Sequence, residues 1–411
     1  MKTGWEVKRL GNVCDIVNGG TPDTKVKEYW DGENLWITPK DMGKLNSIFV
    51  DETERKITDS GLKNSSAKLL PINSIILSSR APIGHLAINK KPMSTNQGCK
   101  GIVPKNMLDF LFLYYFLKKS VELLNSLGSG TTFKELSGSK LAEVIILLPP
   151  LSEQKRIIAI LGEAFESITK AKENAEKNLK NANEIFESYL QSVFENKGGE
   201  WKKVQLSSLI EKGWIISHLD GNHGGDYPRK EEFINEGVPY ISAKCLKGNS
   251  VDLSLAKYLT PERAGRINKG VAINNDVLFA HNATVGPVAI LRTNEEKIIL
   301  GTSLTYYRCN PEHILPEYLI NYMRSKEFKQ QYELVMRQST RNQVPITKQR
   351  EFYHIIPPVE IQRTLIVKLE YLFDNAKKLE AIYQKKLADL EELKKSILAK
   401  AFNGELTEAS S

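Results

Sequence analysis

The chain has 411 residues, enough for two or more globular units, and its 41% hydrophobic and 26% charged residues are ordinary for a folded protein. Its net charge of +8 and pI near 9.0 fit a polyanionic partner without requiring one. We find no signal-peptide pattern, no apolar run as long as a membrane span and no CxxC pair among the four cysteines, so we expect a reduced, cytoplasmic protein.

The first part of the chain, 1–150, is predicted to be a mixed domain of strands, turns and one helix. Short apolar runs such as Ser74–Ser78 and Val144–Leu148 are bounded by Gly, Pro, Asn and Ser, which is typical of strands. The segment Asp109–Leu124 is too rich in leucine and aromatic residues for a surface helix, so we predict a partly buried one.

A long helix is predicted next, over 151–198. Ser152 caps it, Pro150 stops the strand before it, and Gly198-Gly199 ends it. Apolar residues recur at alternating spacings of four and three, interrupted only at Lys172, as in the seam of a coiled coil. These residues are Leu161, Phe165, Ile168, Ala175, Leu179, Ala182, Phe186, Tyr189 and Val193.

The rest of the chain repeats this plan, with a mixed domain over 199–356, a helix over 357–404 and a tail over 405–411. LPPLSEQ in the first half is answered by IPPVEIQ in the second, and from there the offset stays at 208 residues. We therefore predict an α+β fold, in which two similar mixed α/β domains are joined by two long helices. The helices would form an antiparallel coiled coil with pseudo-two-fold symmetry; pairing of each helix with a partner protein is the alternative.

The sequence contains no recognisable catalytic motif. GSGTT (Gly128–Thr132) is similar to a methyl-donor loop, but it follows an apolar helix instead of a strand. The sequence also lacks the acidic-Pro-Pro-aromatic motif of methyl transfer and a P-loop. His218, Asp220 and His223 suggest a metal site as one alternative, but a plain loop fits their turn-forming surroundings better. We expect no catalytic centre, metal or cofactor in this chain.

Polar loops at matching points of the two halves are the candidate nucleic-acid contacts. Arg, Asn and Gln can pair bidentately with guanine or adenine edges, and Lys, Ser and Thr suit phosphates. Any one loop could be ordinary solvated surface, but the matched loops differ most where the donor types change. In the first half the candidates are Thr21, Trp36, Lys40, Ser79, Arg80, Asn96, Gln97, Thr132 and Lys134. In the second half they are Tyr227, Lys244, His281, Asn282, Ser303, Arg341 and Asn342.

Together these features resemble the specificity subunits of Type I restriction–modification enzymes over essentially the whole chain. The order and doubling of the motifs make the resemblance specific. The first half contributes Gly19–Met42, SSRAPIG (Ser78–Gly84), STNQG (Ser94–Gly98), SGTTFKELS (Ser129–Ser137) and LPPLSEQKRI (Leu148–Ile157). The second half contributes DGNHGGDYP (Asp220–Pro228), PYISAKCL (Pro239–Leu246) and SILAKAFNGELT (Ser396–Thr407). The chain departs from the family pattern at Glu360–Gln362, where Glu-Ile-Gln replaces the acidic-Gln pair.

The resemblance implies two target-recognition domains, 1–150 and 199–356, each reading one half of a split, asymmetric site in double-stranded DNA. The spacer helices would fix the unread gap and dock two modification (methyltransferase) subunits, which hold S-adenosylmethionine. Restriction (translocase–nuclease) subunits would attach to those. This chain would then be a non-catalytic subunit.

Three other functions remain open at this point. A specificity protein for a Type II-like methyltransferase–nuclease would share the architecture and differ only in its partner. A DNA-binding regulator would bind its site without any methyltransferase. A coiled-coil scaffold would lack the steep salt dependence that phosphate contacts produce.

Overall fold

The computed structural model describes residues 4–80, 82–130, 134–221, 227–338 and 342–407. The chain divides into two compact units, unit 1 formed by 1–176 with 385–411 and unit 2 formed by 177–384. Each unit contains one mixed domain and a part of each long helix. None of the described helices is both long enough and apolar enough to cross a membrane.

Unit 1 consists of strands in three sheets with helices around them. Its strands are β1 (Glu6–Arg9), β2 (Cys14–Asn18), β3 (Trp30–Ile37), β4 (Phe49–Val50), β5 (Arg55–Ile57), β6 (Ile75–Ser79), β7 (Ile83–Asn89), β8 (Met93–Thr95), β9 (Cys99–Pro104) and β10 (Ile145–Leu148). Its helices are α1 (Leu10–Val13), α2 (Pro39–Met42), α3 (Asp59–Lys63), α4 (Phe110–Lys119), α5 (Val121–Leu127), α6 (Gly138–Ala142) and the first part of α7 (Leu151–Glu195).

The central strand of unit 1 is β6, which is buried on both faces. The sheets have the orders β2-β9-β6-β7-β4, β5-β3-β8 and β1-β10, and the pairs β3–β8 and β4–β7 are parallel. Side chains of a strand alternate between faces, so Ile75 and Leu77 enter one apolar cluster and Ile76 enters another. The domain is therefore built in layers on either side of this strand.

Unit 2 repeats this arrangement. Its strands are β11 (Lys202–Gln205), β12 (Ile215–Asp220), β13 (Phe233–Ile234), β14 (Val238–Ile241), β15 (Leu246–Lys247), β16 (Ser250–Val251), β17 (Lys257–Leu259), β18 (Val271–Ala272), β19 (Val277–Asn282), β20 (Thr284–Ile290), β21 (Ile298–Leu300), β22 (Leu304–Cys309) and β23 (Tyr353–Ile356). Its helices are α8 (Leu206–Glu211), α9 (Pro261–Gly265), α10 (Pro316–Arg324), α11 (Lys326–Arg337), α12 (Ile346–Gln349) and most of α13 (Val359–Asn403).

The central strand of unit 2 is β19, the counterpart of β6. The sheets have the orders β12-β22-β19-β20-β16-β15, β13-β17-β14-β21-β18 and β11-β23, with β14–β21 and β16–β20 parallel. Val277 and Phe279 enter one cluster, and Leu278 and Ala280 enter another. The prediction of two similar mixed domains with long helices is confirmed.

The single helix predicted at Asp109–Leu124 is two helices, α4 and α5, separated at Ser120. Its counterpart in unit 2 is likewise divided into α10 and α11. There Ser325 has extended backbone angles (φ −66°, ψ 160°), and its hydroxyl accepts a hydrogen bond from Phe328 N–H. A serine in this conformation caps a new helix, which explains the break that the apolar pattern does not predict.

The helices α7 and α13 have 45 residues each. Within unit 1 they run antiparallel: Lys172 Nζ lies 2.9 Å from Glu391 Oε1, and Glu153 hydrogen-bonds Thr407. Position numbers thus rise along one helix as they fall along the other. In this unit the two helices pair with each other, and the described part of the predicted tail packs beside them.

The C-terminal ends of both long helices pack on an aromatic helix of a mixed domain. The ring of Phe402 lies 4.9 Å from that of Phe112 in unit 1, and Phe194 lies 5.3 Å from Tyr322 in unit 2. In the last turns of α7 the buried residues are Leu190 and Phe194, next to the predicted Tyr189 and Val193. The apolar seam shifts because these turns face α10.

Candidate nucleic-acid interface

In unit 1 the loop between β8 and β9 joins the ends of three other strands through main-chain hydrogen bonds. The bonds run from Gly19 N–H to Cys99 O (3.2 Å), from Asn96 N–H to Ile37 O (3.0 Å) and from Ser79 N–H to Gly98 O (2.8 Å). The loops that follow β2, β3 and β6 therefore meet around this one. We call this set of bonds the loop frame.

The loop frame recurs in unit 2 around the loop between β21 and β22. The bonds run from Gly221 N–H to Leu304 O (2.8 Å), from Gly301 N–H to Ile241 O (2.7 Å) and from His281 N–H to Ser303 O (2.9 Å). Each frame has a further bond of 2.8 Å, from Leu136 N–H to Ser79 O and from Val344 N–H to His281 O. Ser79 thus corresponds to His281, and the two halves carry different side chains on equivalent main chain.

A close approach of backbone explains one glycine in each frame. A β-carbon on Gly19 would lie 1.9 Å from Asn96 O, and one on Gly221 would lie 1.9 Å from Gly301 O. Both distances are far below van der Waals contact, so only glycine fits. These glycines are part of the site that the search for polar side chains missed, although the GG pair at Gly19-Gly20 signals a special turn.

Several predicted residues of unit 1 come together on its frame. The hydroxyl of Thr21 donates a hydrogen bond to Gln97 Oε1, and Asn96 Oδ1 accepts one from Gly98 N–H at 2.9 Å. Arg80 is half-buried, and its Nε lies 3.4 Å from the place that a β-carbon of Gly98 would occupy. Polar donors and acceptors from three loops therefore share one surface.

Two predicted lysines lie beside this surface. Lys40 is exposed in α2, a helix whose N-terminus is capped by Thr38. Lys134 is exposed and precedes Glu135, which forms an isolated antiparallel β-bridge with Arg80. The sequence analysis did not single out Lys100, which is 6% exposed with its Nζ 3.8 Å from Glu135 Oε1.

In unit 2, Tyr227, Lys244 and Ser303 line one cavity of about 260 Å³, together with Tyr240 and Thr302. Tyr227 and Lys244 are exposed, and Ser303 is half-buried. Aromatic, cationic and hydroxyl groups thus converge on a concave part of the frame, a mixture that suits a nucleotide's base and phosphate.

Asn282 and Asn342 form a second group in unit 2. Asn282 forms an isolated antiparallel β-bridge with Gln343, and Arg80 forms one with Glu135 in unit 1. Asn342 is exposed, and its Nδ2 donates to Ala283 O at 2.8 Å. Arg80 and Asn282 therefore occupy corresponding places.

Three predicted contacts lie beneath the surface. The sequence predicts DNA contacts for Trp36, Ser79 and His281, but their exposures are only 4%, 0% and 1%. Trp36 Nε1 donates to Gly20 O at 2.9 Å, and His281 Nδ1 lies 3.1 Å from Val344 O. The correction follows from strand geometry: these side chains point inward at strand ends and support the loops.

Two predicted contacts, Thr132 and Arg341, fall outside the residues that the structure describes, and so does His223. In the described ranges no three His, Cys, Asp or Glu side chains are grouped so that they could hold a metal ion. Burial raises the pKa of the Cys14 and Cys99 thiols to about 12, so neither is a thiolate nucleophile at neutral pH.

Behind the frame of unit 2 lies a buried polar network that no sequence motif marks. Gln349 Oε1 accepts hydrogen bonds from the hydroxyls of Thr305 (3.0 Å) and Tyr307 (3.1 Å) and lies 3.2 Å from His218 Nε2. Gln349 Nε2 donates to Val344 O at 3.0 Å, which ties the network to the frame. Burial lowers the pKa of His218 to about 3, so its ring is neutral.

The chain matches the family model of the Type I restriction modification DNA specificity domain twice, over residues 2–179 and 198–390. The MjaIX Type I specificity subunit of Methanocaldococcus jannaschii is 36% identical over 259 residues, which are 61% of this chain and 60% of that relative. The EcoBI specificity subunit of Escherichia coli is 25% identical over 77% of this chain and 70% of its own length. The chain thus aligns with less than two thirds of the first relative.

Solved structures with the same fold cover nearly the whole chain. A chain from a study of complex assembly and conformational transition of the type I R-M system has a TM-score of 0.78, with 19% identity and 99% of each chain covered. The HsdS subunit from Thermoanaerobacter tengcongensis has a TM-score of 0.63, with 18% identity, covering 99% of this chain and 98% of its own. The chain belongs to the Type I restriction–modification DNA specificity family and carries the domain of that family twice.

Proposed function

We propose that this chain is the DNA-reading subunit of a Type I restriction–modification complex, in which each half reads one part of a bipartite, asymmetric site. The observation that carries the proposal is the loop frame, which recurs in both units with equivalent main-chain bonds and different side chains. Two domains built in this way present surfaces of similar shape but different side-chain chemistry. Two domains that bind different short DNA sequences need such surfaces.

The side chains on the frames have the chemistry of base reading. In unit 1, Arg80, Asn96 and Gln97 can each form paired hydrogen bonds with a base edge. Arginine suits guanine and asparagine suits adenine. Since Arg80 corresponds to Asn282, this place in the two domains favours guanine in one half-site and adenine in the other. The exposed Lys40, Lys134 and Lys244 suit phosphates.

The partners follow from the same proposal. The long helices hold the unread gap between half-sites at a fixed length and dock two methyltransferase subunits, to which the restriction subunits attach. S-adenosylmethionine binds in those methyltransferase subunits, so this chain contributes recognition and no catalysis. The complex works in the cytoplasm, where the DNA is.

The test is to co-express the chain with the methyltransferase encoded beside it in a host without DNA methylation, and to map modified adenines by long-read sequencing. We expect a split motif with one modified adenine in each half. A stable complex that modifies no split motif would contradict the proposal. Specific binding of the free chain to DNA, without any methyltransferase, would favour a regulator instead.

A further inference from the structure

A buried glutamine stands in the first turn of each long helix. Gln154 in α7 and Gln362 in α13 are 208 positions apart in the repeat, and both side chains are 0% exposed. A buried amide is unfavourable unless its donors and acceptor are paired. The partners of these two amides therefore reveal what the glutamines hold.

In unit 1 the amide of Gln154 is bonded at three points. Its Oε1 accepts a hydrogen bond from Asp109 N–H at 2.8 Å, and its Nε2 donates to Met107 O at 3.0 Å and to Pro149 O at 2.9 Å. All three partners are main-chain groups. Asp109 is also the N-cap residue of α4, so the glutamine joins the start of one helix to the start of another.

In unit 2 the amide of Gln362 makes the same three bonds. Its Oε1 accepts from Leu315 N–H at 2.9 Å, and its Nε2 donates to His313 O at 2.8 Å and to Pro357 O at 2.9 Å. Leu315 is the N-cap residue of α10, the counterpart of α4. We call this repeated arrangement the glutamine clamp.

The clamp adds hydrogen bonds to the apolar packing that joins each long helix to its domain, such as that of Leu161 in unit 1 and Leu369 in unit 2. Along the chain, α7 is joined to the domain by Pro149-Pro150 alone, and α13 by Pro357-Pro358. Apolar packing is not directional, whereas hydrogen bonds require particular distances and angles, so the clamp restrains the angle of the helix more narrowly than packing does. The segment Met107–Asp109 lies far from Gln154 along the chain, so the clamp ties the first turn of the helix to a distant part of the domain.

The residue before the glutamine differs between the halves. Glu153 contacts Thr407 in unit 1, whereas Ile361 stands at the corresponding position in unit 2. The departure from the family pattern at Glu360–Gln362 therefore leaves the clamp intact. The amide is the element that both halves share.

We propose that Gln154 and Gln362 are positioning residues that fix the angle between each recognition domain and its long helix, and thereby the length of DNA between the two half-sites. This inference rests on the proposed reading of a split site. The glutamines touch no DNA in this scheme; they act through the main chain that they join.

The test compares Gln154→Glu and Gln362→Glu with wild type and with Gln384→Glu, which makes the same change at an exposed position of α13. A carboxylate can still accept the N-cap hydrogen bond, but it loses both donors and faces two carbonyl oxygens. Each variant is co-expressed at low temperature with the methyltransferase, and modified sites are mapped across the genome. The readout is the ratio of modification at the native gap to that at gaps one base pair shorter or longer.

We expect the two clamp variants to keep both half-site sequences and to lose about tenfold in preference for the native gap, the equivalent of about two hydrogen bonds of restraint. Gln384→Glu should match wild type. Equal loss at all gaps, an unchanged gap profile, or insolubility of both clamp variants would assign the glutamines to folding alone and overturn the inference. If wild type itself modifies no split site, the proposed function fails instead.

Discussion

Acidification from pH 7 to pH 5 is expected to destabilise unit 2 selectively, because two of its histidines are buried as neutral rings. Burial lowers the pKa of His218 from 6.5 to about 3, against the opposing effect of its hydrogen bond to Gln349. Burial likewise lowers the pKa of His354 to about 4. The ring of His354 lies among the aromatic rings of Tyr322 and Phe328, where a charge would have no solvent.

Proton linkage gives the direction and the size of this change in the stability of unit 2. Both histidines keep their full contribution above the unfolded pKa of 6.5 and lose it as the pH falls towards their folded values, because the unfolded chain then binds protons that the folded unit does not. Each histidine loses about 1.4 kcal/mol per pH unit in that window. At pH 5 the two together should lower the free energy of unfolding of unit 2 by about 4 kcal/mol.

The assay is urea unfolding of the full chain at several pH values, with hydrogen exchange and mass spectrometry to follow each unit separately. Unit 1 is an internal control, since its sequence contains one histidine, the half-buried His85. The variant His218→Gln with His354→Phe removes both titrating groups. An equal loss of stability in the two units, or an unchanged pH dependence in the double variant, would refute the reasoning.

Three further outcomes are expected. Arg80→Ala should weaken base discrimination at one position of the half-site read by unit 1 by about 1–3 kcal/mol, and Asn282→Ala should do the same in the other half-site. Methylation mapping checks this, and a change of both half-sites by one variant would contradict separate reading. Phe402→Ala should destabilise unit 1 by about 3–5 kcal/mol and spare unit 2 in the same exchange experiment, and loss confined to unit 2 would disprove its place in the core. Adding or deleting four residues, about one helical turn, in both long helices should change the gap but neither half-site. Altered half-sites would contradict the proposal that these helices set the gap.

The doubled architecture was predictable because a constant offset is visible without knowledge of any contact. The offset of 208 residues from Pro149 onward located both long helices. It also paired Gln154 with Gln362, yet the sequence could not say what these amides bond, since two of the three main-chain partners of each lie 45–49 residues away. The clamp therefore became visible only in the structure.

Which loop residues face outward was not predictable. Every side chain of β6 is buried because both faces of that strand are covered, so alternation along the sequence could not place Ser79. Trp36 is an aromatic residue of the kind that stacks on bases, but its ring packs inside the domain, with its centroid 5.1 Å from that of Trp30. The same offset of 208 aligns Leu141 with Gln349, and both are buried. Gln349 is polar because its amide hydrogen-bonds side chains such as that of Thr305, a contact that only the structure shows.

Unit 1 is formed from two stretches of chain that are synthesised at very different times. Phe112 and Phe116 pack on Phe402, which is added 286 residues after Phe116. At about 5–20 residues per second, a ribosome needs roughly 15–60 s for that interval. Unit 2 is one continuous stretch, 177–384, so it can close earlier. The domain that emerges first is therefore completed last, and until then its aromatic helix α4 stays open to chaperones and to aggregation.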